Sequence, residues 1–165
     1  MTAPAIEQNI PALVRAAIEK HGAKRDALIP ILSEVNLAMG YIPGEAFKEV
    51  RKQLHDPTEG IFVAESQLHA LASFYDMLAT KARGEHVIKF CENAPCHVVG
   101  GRAIWDALRE KLNLKNGETT PDGKWTLVTT SCIGLCSVGP VVVIDEDVYG
   151  NVTPEQIGDI LGRYE

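Results

Sequence analysis

The 165-residue chain is 45% hydrophobic and 23% charged, the make-up of a soluble globular protein with room for one ordinary domain or two small ones. A formal net charge of −6 excludes the basic stripe that a nucleic-acid-binding surface needs, and no apolar run approaches the ~20 residues that span a bilayer. The start, MTAPAIEQNIPALV, has neither a basic stretch followed by an apolar one nor the Arg-rich, acid-poor make-up of a transit peptide, so the chain is expected in the reducing cytoplasm, where structural disulfides are rare.

The first half reads as helices. Ile10, Leu13, Val14, Ala17 and Ile18 recur at the spacing of one helical face, with Pro11 tolerated in the first turn and Gly22 placed as the C-terminal cap. A second helix is expected from an Asp26 cap to Gly40, with Pro30 near its start. A shorter third follows Pro43 and buries Phe47, Val50 and Leu54. A fourth, AESQLHALASFYDML, carries Leu68, Leu71, Ala72, Tyr75 and Leu78 on one side. Short amphipathic helices in this number suggest a small bundle, from Ile6 to Leu78. His69 reads as a packing or partly exposed residue, and so do His21 and His55, which have no cysteine or carboxylate at ligand spacing.

The polar stretch ATKARGE, from Ala79 to Glu85, ends the helical half. It divides an N-terminal helical domain, 1–80, from an α/β domain, 81–165. HVIKF reads as a buried strand running into Cys91, GGRAIWDALREKL as a helix, and NGETTPDGK as turns. WTLVTTS is a second strand leading to Cys132, PVVVID a third and DVYGN a short fourth. Asp145, Glu146 and Asp147 read as a solvated acidic turn. Thr153 as N-cap, Pro154 at the first helical position and Gln156 three residues after the cap predict a final helix opened by a capping box.

A strand–helix–strand unit of this length closes as a right-handed crossover with its strands parallel. Cys91 and Cys96 follow the first strand, Cys132 and Cys136 the second, so both pairs are expected at one edge of the sheet. Four converging thiols in a reducing compartment point to a metal site rather than to inert core cysteines. A thioredoxin-type dithiol needs two residues between its cysteines, a spacing that neither pair has. Structural zinc tolerates spacings of two to four residues and is the rival reading. Zinc sites, however, favour tight knuckles, whereas a 2Fe-2S cluster takes two thiolates on each iron and suits two wider loops. A Rieske centre is set aside because only His97, beside Cys96, accompanies these cysteines. Gly100 and Gly101 read as a helix start that lets the backbone approach the first cysteine loop.

CENAPC and SCIGLC, with TTPDGK between them and SFYDML upstream, resemble the thioredoxin-like 2Fe-2S subunit of NADH dehydrogenases. That family has counterparts in NAD-linked and electron-bifurcating hydrogenases and in NAD-dependent formate dehydrogenases. The resemblance covers nearly the whole chain and implies a thioredoxin-like 2Fe-2S ferredoxin domain behind the helical bundle. It implies one 2Fe-2S cluster per chain, held by Cys91, Cys96, Cys132 and Cys136, and a role in electron transfer without catalysis by this chain alone. The implied partners are a flavin- and NAD(H)-binding iron–sulfur subunit, which would carry the FMN and NAD(H), and further iron–sulfur subunits, in a soluble complex or on the cytoplasmic face of a membrane one. Many family members have alanine where this chain has Leu135, a departure that leaves the ligands intact. Consistent with this, the chain has no G-x-G-x-x-G dinucleotide fingerprint of its own. The alternative is a zinc-stabilised interaction module without redox role.

Overall fold

A computed structural model describes residues 9–164, so Ile6, expected to open the bundle, lies outside the described residues. The chain divides into two compact units, residues 1–82 and 83–165. In the first, four helices share one core: α1 (Ile10–His21), α2 (Leu28–Met39), α3 (Gly44–Leu54) and α4 (Glu65–Phe74). Val14, Ile31, Leu32, Val35, Phe47, Val50 and Leu68 are buried together, the outcome their helical spacing predicts. Gly22 ends α1 with its N–H donating to the Ile18 carbonyl at 2.7 Å, and Gly40 ends α2 in the left-handed conformation at φ 77°.

Two boundaries differ from expectation. Asp26 lies inside a 3-10 turn, Arg25–Ala27, that precedes α2. Pro30 has no N–H to donate to the carbonyl four residues back, so the α-helical ladder begins later than the Asp26 cap would require. The fourth helix stops at Phe74, because Tyr75 turns to extended backbone. The chain beyond it is pinned instead by Asn36, whose Nδ2 donates to the Met77 carbonyl at 3.2 Å and whose Oδ1 accepts from Ala79 N–H at 2.8 Å. Leu78 still reaches the core, by a turn rather than a helix.

The second unit is built on a five-stranded sheet. Its strands are β1 (His86–Cys91), β2 (Glu118–Thr119), β3 (Trp125–Thr130), β4 (Val142–Ile144) and β5 (Asp147–Tyr149), ordered β2-β3-β1-β4-β5. β1 and β3 are parallel, as the crossover demands, with His86 opposite Trp125 and Cys91 opposite Thr130. β4 joins β1 antiparallel, and hairpins add β2 and β5 at the edges. Between β1 and β3 lie α5 (Ala94–Cys96), a kinked turn over His97–Gly101, and α6 (Arg102–Leu112). The capping box at Thr153–Gln156 forms, with Thr153 N–H donating to Gln156 Oε1 at 3.0 Å, and a 3-10 turn leads into α7 (Ile157–Leu161). Ile104 and Leu108 from α6, with Ile157, Ile160 and Leu161 from α7, bury the sheet residues Ile88, Leu127 and Ile144. Among the described residues no helix is long and apolar enough to cross a membrane.

The acidic turn after β4 is not merely solvated. Asp145, in the left-handed region at φ 52°, accepts from Val87 N–H at 2.8 Å and lies 2.7 Å from His86 Nδ1. Asp147 accepts from the Tyr164 hydroxyl at 2.7 Å. The carboxylates lock the β4–β5 hairpin onto β1 and the C-terminal turn.

Candidate metal centre

Strand register places the four cysteines. Cys91 is the last residue of β1 and pairs with Thr130, the last residue of β3. Ser131 and Cys132 therefore leave the sheet at the edge from which Glu92 and the α5 loop leave. Cys91 N–H donates to the Val141 carbonyl and Glu92 N–H to that of Thr130, each at 3.3 Å. These bonds tie the first cysteine loop to the strand ends on both sides of it.

Cys96 returns toward Cys91 through the single turn of α5, closed by His97 N–H on the Asn93 carbonyl at 3.0 Å. Both sulfurs of this pair belong to buried residues, packed with Val141 and against Ile133, Val138 and Val143. The turn that follows is possible because of two glycines. Gly100 adopts φ 106°, and a Cβ on Gly101 would stand 2.6 Å from the Cys96 carbonyl oxygen and 3.2 Å from the Phe90 ring. The approach expected of this glycine pair is thus a backbone one, onto the residue that carries the second thiol.

The second pair is open. Cys132 and Cys136 are exposed, with their sulfurs 3.8 Å apart. Gly134, in the left-handed region at φ 81°, turns its N–H onto Cys132 Sγ at 3.4 Å. A 3-10 turn, Cys136–Val138, and a cis Gly139–Pro140 bond then lead back into β4. Asn151 N–H donates to the Val138 carbonyl at 2.6 Å and Val152 N–H to that of Pro140 at 3.3 Å, so this loop is anchored to the chain beyond β5.

Gly139 is where the two loops meet. A Cβ there would stand 3.3 Å from Cys96 Sγ, 3.3 Å from Val99 Cγ2 and 3.4 Å from the Cys136 carbonyl oxygen. Sequence reasoning missed this residue; its signal was the Gly-Pro pair just after the last cysteine. The exposed side chains of Val98, Val99 and Leu135 belong to the same two loops. His97 is exposed and makes no side-chain hydrogen bond among the described residues.

Electrostatically the thiols act on one another across the two pairs. Burial pushes the Cys96 thiol up, and Cys91 and Cys136 add to the shift. The Cys132 sulfur beside it raises Cys136, with a further push from Cys91. Crowded thiols resist ionising one after another because each thiolate repels the next. A bound cation reverses that balance and releases their protons.

The donor set has the spacing of metal-bound pairs. Two sulfurs each about 2.3 Å from one tetrahedral centre lie about 3.8 Å apart, which is the Cys132–Cys136 separation. The buried Cys91 and Cys96 thiols supply two further donors from the loop that leaves the same sheet edge.

Comparison with known proteins follows the same line. The thioredoxin-like 2Fe-2S ferredoxin family matches over residues 14–165. A subunit of the NADH-quinone oxidoreductase of Escherichia coli K12 is 37% identical over 141 residues, covering 86% of this chain and 81% of its own length. The HndA subunit of the NADP-reducing hydrogenase of Solidesulfovibrio fructosivorans is 32% identical over 147 residues, covering 89% and 82%. Among solved structures, an NAD+-reducing NiFe hydrogenase in the air-oxidised state shares the fold with a TM-score of 0.55 at 18% identity; the match covers 99% of this chain and spans 23% of the hydrogenase chain.

Proposed function

Since the chain belongs to the thioredoxin-like 2Fe-2S ferredoxin family, whose cofactor is a 2Fe-2S cluster, we propose that Cys91, Cys96, Cys132 and Cys136 ligate that cluster and that the chain passes single electrons beside a flavin-bearing, NAD(H)-binding subunit. The observation that carries this reading is the two-plus-two arrangement of thiols at one sheet edge, with Cys132 and Cys136 at 3.8 Å. What favours a cluster over zinc in the same four thiols is the family match over residues 14–165.

When bound, the cluster supplies a reversible one-electron couple. The residues of the chain hold and shield it. The Cys91–Cys96 side is buried and fixes one pair to the sheet. The Cys132–Cys136 side is exposed and faces the direction from which an electron can arrive or leave. Gly134 N–H, already on Cys132 Sγ, stabilises negative charge on that sulfur, and such hydrogen bonds raise a cluster potential. Val98, Val99 and Leu135 give the surface an apolar character that a partner would cover to keep water out.

Relatives of this chain are subunits of an NADH-quinone oxidoreductase and of an NADP-reducing hydrogenase. In the proposed assembly FMN and NAD(H) sit on the partner, further iron–sulfur subunits continue the path, and the helical unit docks the chain in a cytoplasmic complex. A redox titration followed by visible absorbance tests the electron-carrier reading. All-thiolate ligation predicts a midpoint in the region of plant-type ferredoxins, about −400 mV. A midpoint well above zero, or a colourless protein, overturns it.

A further inference from the structure

The cationic face of α3 lies outside everything assigned above. Lys48, Arg51 and Lys52 fall at i, i+3 and i+4, opposite the buried stripe of Ala46, Phe47, Val50 and Leu54, and His55 follows just past the helix end. Among the described residues these four alone line a cleft of about 210 Å³. Lys52 is tied to Glu49 at 3.4 Å, whereas Lys48 and Arg51 make no ion pair among the described residues. Like charges at these spacings repel along a helix. The helix dipole favours cations in a last turn, but it accounts neither for the concavity nor for what adjoins it.

Arg51 and His55 also line a second cleft of about 470 Å³, whose far wall is Phe62, Val63 and Glu65. That wall is built rather than loose. Val63 N–H donates to His55 Nδ1 at 3.2 Å, which leaves Nε2 to carry the ring proton. Asp56 and Ile61 exchange backbone hydrogen bonds at 3.0 and 2.8 Å, and Asp56 Oδ1 accepts from Thr58 N–H at 2.9 Å. The turn so closed presents Phe62, 60% exposed, edge-on to the His55 ring with centroids 5.9 Å apart.

The first cleft therefore offers only donors, and a ligand there must bring acceptors and negative charge. The second adds the Arg25 guanidinium, the Phe62 ring and the Glu65 carboxylate; an apolar side chain covers the ring and a peptide N–H reaches the carboxylate, neither of which a polyphosphate supplies. We propose that this groove binds an acidic segment of a partner polypeptide, its carboxylates on Lys48, Arg51 and His55 and a neighbouring apolar side chain on Phe62. The proposal rests on the helical unit being a docking element and not on the metal centre.

The test titrates the full chain, as purified, with a fluorescently labelled synthetic peptide of consecutive glutamates followed by phenylalanine, read by anisotropy. Saturable binding is expected, weakening as salt rises and falling about tenfold or more in Lys48→Glu and in Arg51→Glu. Phe62→Ala should weaken binding while leaving the salt slope unchanged, and Lys111→Glu, in the other unit, should change nothing. Circular dichroism of each variant separates lost binding from lost folding. Binding that is absent at low salt, or indifferent to both charge reversals, overturns the proposal. So does displacement of the peptide by inorganic pyrophosphate at lower concentration than by unlabelled peptide, which marks a phosphate site, or preferential sedimentation with anionic phosphatidylserine vesicles, which marks a lipid surface. Any of these leaves the docking role of the helical unit to be judged by its own truncation.

Discussion

At Gly139 the absence of a side chain has a chemical consequence, because Cys96 Sγ and the Cys136 carbonyl both lie within 3.4 Å of where a Cβ would stand. Gly139→Ala requires the Cys96 sulfur or the Val99 side chain to give way by a few tenths of an ångström. It is expected to lower iron content and alter the visible spectrum, while Gly158→Ala, with open space around it, leaves both unchanged. Serine at each cysteine probes the ligands individually. Cys91→Ser and Cys96→Ser should lose cluster most completely, since a buried position cannot recruit water as a substitute ligand. Cys132→Ser and Cys136→Ser, on the exposed side, should retain more iron with a shifted EPR signal in the reduced state. A serine variant with unchanged iron and spectrum would strike that residue from the ligand set.

Among the elements, the clearest structural dependence is the turn after α4. Asn36 satisfies two backbone groups there, at Met77 and Ala79. Asn36→Ala is expected to destabilise the helical unit by about 1–3 kcal/mol, read as a lower denaturant midpoint at unchanged m-value. Unchanged stability would mean that water replaces the side chain at no cost. The Asp56 turn carries a pH dependence. Hydrogen bonds from the Thr58 hydroxyl, and then from the Thr58 and Glu59 amides, hold its carboxyl below the usual value. A depressed carboxyl stabilises the folded state above its unfolded pKa and loses that contribution as pH falls through the folded one. The protection of the Thr58 and Glu59 amides, measured against their intrinsic exchange rates, should thus fall in acid, and Asp56→Asn should remove most of that pH dependence. The same elements mark what was legible beforehand. The faces of α1 and α3, the parallel β1–β3 crossover and the Thr153 capping box follow from local periodicity and cap chemistry. The end of α4 does not, because Asn36 acts from 41 residues away, and β2 is only two residues long inside a stretch that reads as turns. The four cysteines could be picked out by spacing, but Gly139 owes its role to a contact between loops 43 residues apart in sequence, Cys96 and Gly139.

For the whole molecule, two units with separate cores suggest separable tasks. Removing residues 1–82 is expected to leave a folded, coloured domain that no longer co-purifies with the flavin-bearing partner; equally tight association of the truncated domain would end the docking role of the helices. The central claim is narrower and more exposed. It is that the four thiols at the β1–β3 edge would hold a 2Fe-2S cluster rather than one zinc. Metal and acid-labile sulfide analysis of the full chain, purified without oxygen, measures this directly. The account predicts about two irons and two sulfides per chain with negligible zinc. One zinc per chain with no sulfide would contradict it.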